Sequence, residues 1–148
     1  DMGAQKVAAP ALAGVPFDAG ALPAVDGPLP AADAFARGAR TVPLVQLAWG
    51  RSGDKGDAAN IGIIARKPEY LPFIRAAITE QAVARWFAHL VHGEVRRYDL
   101  PGTHALNFTL QEALGGGGIA SVRMDPQGKA YAQMLLDHPV KIPAELAL

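Results

Sequence analysis

Between Gly50 and Asn60 the chain reads Gly50-Arg51-Ser52-Gly53-Asp54-Lys55-Gly56-Asp57-Ala58-Ala59-Asn60, setting three glycines, four charges, a hydroxyl and an amide between two apolar runs. Glycines let a backbone turn several amides toward one point, as an anion-holding nest does. Arg51 and Lys55 suit a carboxylate or a phosphate, with Ser52, Gly53, Gly56 and Asn60 as further binding positions beside them. Asp54 and Asp57 could orient those cations, or one of them, partly desolvated, could act as a general base, so the catalytic candidates are Asp54, Lys55 and Asp57. The competing reading is a solvated hairpin loop whose charges pair locally. A nucleoside triphosphate site is disfavoured, because Asp54 replaces the glycine that precedes lysine in a phosphate-binding P-loop and a strand follows where a helix should begin.

A second polar group consists of Gly115-Gly116-Gly117-Gly118 followed by Ser121, Arg123, Asp125, Gly128 and Lys129. Four glycines could admit a ligand against bare backbone, or simply end a helix and connect it onward. Arg123 and Asp125 alternate with Val122 and Met124, so on a strand they would face one way, and Arg123 joins the candidate anion-binding set. A structural salt-bridge network is the alternative. His89 and His92 fit a helix C-terminus better than a metal site, since no third ligand is evident, and neither a metal nor a cofactor is expected. Trp86, Phe87, Phe108 and Tyr131 read as core, with no basic stripe among them to suggest a nucleic-acid platform.

The elements that must hold these groups follow from the hydropathy pattern. Val42 to Trp49 hardly alternates and reads as a strand buried on both faces, ended by Gly50; Ile61-Gly62-Ile63-Ile64 is the strand after the loop. Pro72 suits the first turn of a helix from Leu71 to Ala77. From Glu80 to His92 a longer helix carries an apolar stripe, with Thr79 as cap, Ile78 and Val83 as staple and Gly93 as a left-handed stop. Val95 to Leu100 is a charged strand at an edge or an interface, Ala105 to Leu114 a helix, Ile119 to Met124 a strand, and Asp125-Pro126 either caps a helix to Leu136 or makes a type I turn. Val140 to Pro143 is a short edge strand or a docking tail. Strands and helices mix without regular βα alternation, so the class is α+β.

Residues 1–40 read as an Ala/Pro/Gly-rich arm or linker and residues 41–148 as one domain. The segment carries Pro10, Pro16, Pro23, Pro28 and Pro30; its apolar side chains Val15, Phe17, Leu22, Val25 and Phe35 could anchor it along a protein surface, and a disordered linker is the competing reading. Across 148 residues, 14 Lys and Arg balance 14 Asp and Glu, which gives no net field to gather nucleic acid or an anionic membrane. The sequence holds no cysteine, so disulfides and thiolate metal sites are excluded. No apolar run reaches the roughly 20 residues of a membrane span, and the start lacks the order of a signal peptide, so a cytoplasmic protein is expected.

The runs Arg51 to Asp57 with Asn60-Ile61-Gly62, Ala105-Leu106-Asn107-Phe108, Leu114 to Gly118, and Ser121 to Asp125 with Gly128-Lys129 resemble the AtuA-like ferredoxin-fold domain of the acyclic terpene utilisation family, over about Thr41 to Pro143. The resemblance implies a ferredoxin-like sandwich, a mostly antiparallel sheet with helices packed on it. It further implies a C-terminal domain or small separate subunit working with a larger catalytic domain or subunit, hence an oligomer, in bacterial catabolism of acyclic terpenoids. The substrate it implies is small and anionic or CoA-linked, and the chemistry that of a hydratase or lyase. A non-catalytic assembly module without a ligand of its own is the other reading.

Overall fold

In a computed structural model, residues 28–148 are described. Strand β1 (Ala39–Pro43) is followed by a single 3-10 turn at Leu44–Gln46, then by β2 (Ala48–Lys55) and β3 (Ala58–Ala65). The continuous strand expected from Val42 to Trp49 is therefore two strands. Pro43 ends the first, and Leu44 and Leu47 are both fully buried three residues apart, the spacing of a 3-10 turn. The pattern fails to alternate because the chain crosses from one sheet to another inside it.

Gly50 to Asn60 is likewise not a loop between strand ends. It is most of a β-hairpin, with Ala48 opposite Ala65 and Lys55 opposite Ala58. Gly56, at φ 65°, supplies the left-handed position that a tight two-residue turn demands. Gly50 continues β2 and faces inward, where an added Cβ would meet Ile63, Ala132 and Leu136 at 3.1–3.3 Å. Here the glycine admits a helix against the strand instead of ending it.

Helices α1 (Leu71–Ala77) and α2 (Glu80–Trp86) follow, then β4 (Val95–Leu100) and β5 (Ala105–Leu110). Thr79 caps α2 by accepting from Ala82 N at 3.1 Å, and Ile78 and Val83 are both fully buried, as a staple requires. The helix stops at Trp86, short of the expected His92, and Gly93 is not its left-handed stop. The backbone leaves so that Gly93 N reaches Gln111 O at 3.1 Å, and a Cβ on Gly93 would overlap Gln111.

Ala105 to Leu110 is a strand, not a helix: Leu106, Phe108 and Leu110 alternate inward between β3 and β4. The expected strand at Ile119 to Met124 is a 3-10 turn at Gly118–Ala120 and an extended loop. Asp125 to Gly128 takes the turn, with Gly128 N bonded to Asp125 O, and α3 starts only at Tyr131 and runs to Leu136. Asp125 still serves that helix, its carboxylate accepting from Lys129 N and Ala130 N at 2.9 and 2.8 Å.

The main sheet is antiparallel in the order β2-β3-β5-β4. The parallel pair β3 and β4 is joined through α1 and α2 around β5, a split βαβ arrangement. Beside β3, the edge place goes to β2. The last strand, β6 (Pro139–Pro143), instead pairs with β1 in a separate two-stranded sheet. This is an α+β ferredoxin-like sandwich, mostly antiparallel, with its helices packed on the sheet. Its core gathers Ile61, Ile63, Phe108 and Leu110 under Phe87, Ile78 and Leu135. β4 is an edge strand as its charges suggested; inward-facing Asp99 pairs with the buried Arg75, and Arg97 donates to Arg75 O at 2.9 Å. Phe35 packs edge-on against Phe73. Val15, Phe17, Leu22 and Val25 lie outside the described residues.

Candidate functional site

Along β2 the side chains alternate between two environments. Ser52 is buried, whereas Trp49, Arg51 and Lys55 stand on the opposite, uncovered face of the sheet. The register continues that face across the strands: Trp49, Ile64, Ala105 and Leu100 form one row, and Arg51, Gly62, Asn107 and Tyr98 the next.

Ser52 Oγ donates to Lys129 O at 3.1 Å and accepts from Ala132 N at 2.9 Å, tying β2 to the first turn of α3. Asp57 at the hairpin tip is equally committed. Its carboxylate accepts from Gly116 N at 2.7 Å and Leu114 N at 3.2 Å, and its carbonyl accepts from Ala113 N and Leu114 N. Arg123 turns inward and donates to Leu90 O at 2.9 Å and to Ala113 O, which also accepts from the Tyr131 hydroxyl at 2.5 Å. Burial raises the pKa of that tyrosine, which keeps it a neutral donor. Asn60 Nδ2 donates to Asn107 Oδ1 at 2.7 Å, a cross-strand lock between β3 and β5.

A cavity of about 270 Å³ is lined by Arg51, Ser52, Gly53, Asp54, Lys55, Asn60, Gly62 and Lys129. Most of the sequence-selected positions thus meet at one place; Gly56, Asp57 and Arg123 do not line it. Lys129 reaches around the sheet edge to Asp54 at 3.5 Å, and its ammonium lies where a side chain at Gly53 would begin. Lys55 Nζ donates to Asp54 O at 3.3 Å. Arg51 has neither a hydrogen bond nor an ion pair among the described residues. Three cations against one carboxylate make the cavity suited to an anion.

An apolar cavity of about 280 Å³ adjoins it, bordered by Trp49, Ile64, Leu100 and Leu106, and it shares Arg51 and Gly62 with the first. Arg66 stacks over Trp49 at 4.8 Å from the ring centroid. Reading the residues in order missed Gly62 and the apolar row, and left Lys129 in the second polar group, apart from this hairpin. A glycine inside the β-branched run Ile61 to Ile64 was the available signal, since such a glycine often marks a close approach.

Elsewhere, Ile119, Val122 and Met124 are fully exposed at 108, 102 and 103 %. Among the described residues no three His, Asp or Glu side chains converge as a metal site would need, and no helix is long and apolar enough to cross a membrane.

The family model for the AtuA ferredoxin-like domain matches residues 42–141, and the chain belongs to that family. No curated protein and no solved structure matches it.

Proposed function

We propose that this member of the AtuA ferredoxin-like family is an accessory assembly module, a small subunit or C-terminal domain that docks on a larger partner of the family and supplies no catalytic group. The observation that carries this reading is the exposure of Ile119, Val122 and Met124 on one short segment. Three large apolar side chains wholly in water mark an interaction surface. The segment is held in place at both ends: Gly118 N bonds Pro126 O, and Arg123, between the exposed residues, anchors to Leu90 and Ala113. Burying each side chain contributes about 1.5–3 kcal/mol before the cost of association. The polar groups of the two glycine-rich segments support the same reading, because Ser52, Asp57, Asn60, Arg123 and Asp125 are engaged in holding the domain itself.

Co-purification with the larger partner tests the proposal. Val122→Asp with Met124→Asp should leave the melting temperature unchanged and lower association at least tenfold by light scattering; undiminished association would sink it.

A second reading is supported by the Arg51 cavity: the domain completes a hydratase or lyase site for an acyl-CoA or organic-acid substrate in a cytoplasmic complex, with Asp54 and Lys55 at that site. Under it, Asp54→Asn and Lys55→Met keep association intact but abolish turnover by the assembled enzyme. Unchanged turnover would leave the assembly role alone.

A further inference from the structure

Gly62 lies at the centre of the uncovered sheet face. A Cβ there would meet nothing nearer than Arg51 O at 3.8 Å, so neither strain nor packing against a neighbour calls for a glycine. What the missing side chain does is join the two cavities, one walled by cations and the other by Trp49, Ile64 and Leu100. At the junction stands Arg51, the cation without a partner among the described residues; Lys129 faces Asp54 and Lys55 donates to a carbonyl.

We propose that this joined groove binds a small amphipathic carboxylate, its head on the Arg51 guanidinium and its alkyl tail over Ile64 and Leu100. A guanidinium matches a carboxylate with two parallel hydrogen bonds. The two cavities, of about 270 and 280 Å³, have room for the head and for an alkyl chain of several carbons. The site goes beyond the assembly reading, since it needs no partner. It names a ligand class for the cavity on which the second reading draws, and it requires no turnover.

Isovalerate is the probe, titrated into the full chain by calorimetry and followed through tryptophan emission, since Trp49 is half exposed beside the apolar cavity. Saturable binding is expected, with acetate and isoamyl alcohol, which lack tail and charge respectively, each at least tenfold weaker. Arg51→Gln should weaken isovalerate by roughly tenfold or more, the usual effect of losing a charge-assisted bond. Gly62→Val fills the junction in open space and should abolish binding without lowering the melting temperature. Absence of saturable binding, or an affinity unchanged by either substitution, overturns the proposal. Association with the larger partner, measured on Arg51→Gln, should be unaffected, so failure here and failure of the assembly reading are separate outcomes.

Discussion

Arg51 and Ser52 are chain neighbours on opposite faces of β2, and their substitutions should have opposite consequences. Ser52→Ala strips the buried Ala132 amide of its acceptor and Lys129 O of a donor, at an expected cost of about 1–3 kcal/mol. Urea unfolding should show a lower midpoint with an unchanged slope. Arg51→Ala removes no contact that holds the fold and should stay within about 0.5 kcal/mol of the parent. Equal losses in both would mean that Arg51 anchors the domain. Most of the polar residues singled out from the sequence gather around the β2–β3 hairpin, but what each one bonds to was not readable there. Ser52 meets Ala132, Asp57 meets Gly116 and Asn60 meets Asn107, partners separated by 80, 59 and 47 positions. Composition shows that a polar group needs a partner; only the fold shows whether the partner is a ligand or the chain itself.

Elements were legible where a local signal was unopposed. Thr79, Ile78 and Val83 fixed the start of α2, and the charges of β4 placed it at an edge. Ala105 to Leu114 went wrong because Leu106 and Leu110 satisfy both a helical spacing and an alternating one, and the open hydrogen bonds of β3 and β4 decide for the strand. The four glycines after Leu114 were read as a helix end or a connector. In the fold they form a turn clasped by the β2–β3 hairpin, all at positive φ. Their individual demands differ. A Cβ on Gly117 would lie well inside contact distance of Gly56 O, whereas at Gly118 the space is open. Gly118→Ala should therefore cost only the left-handed backbone penalty, about 1–2 kcal/mol. Gly117→Ala must also push the hairpin tip away and should cost clearly more. Thermal unfolding of the two variants side by side checks this, and equal melting temperatures would show that the hairpin tip does not clasp the turn.

At the scale of the whole molecule, the turn between α3 and β6 brings the end of the small sheet against helix α2. His138 sits in that turn: its carbonyl accepts from Leu44 N at 2.9 Å, after β1, and its ring lies 4.9 Å from Trp86 of α2. Burial lowers the pKa of this imidazole below its ordinary 6.5, a backbone bond at Pro139 offsets part of that, and the charge of Arg85 lowers it further. The folded state thus holds His138 neutral where the unfolded chain would protonate it. Well above pH 6.5 neither state binds the proton and no penalty arises. As pH falls from that value toward the depressed folded pKa, the unfolded state takes up more protons and stability is lost; below the folded pKa the loss levels off. His138→Gln cannot titrate, so the difference in unfolding free energy between parent and variant should change across this window and be flat above it. Urea titrations from pH 8 to 5 in a Trp49→Phe background, with Trp86 emission as the local probe and circular dichroism as the global one, measure that difference directly. A difference that stays constant with pH would assign the acid sensitivity of the fold to other groups, whereas a slope seen by both probes would show that protonating His138 destabilises the fold as a whole.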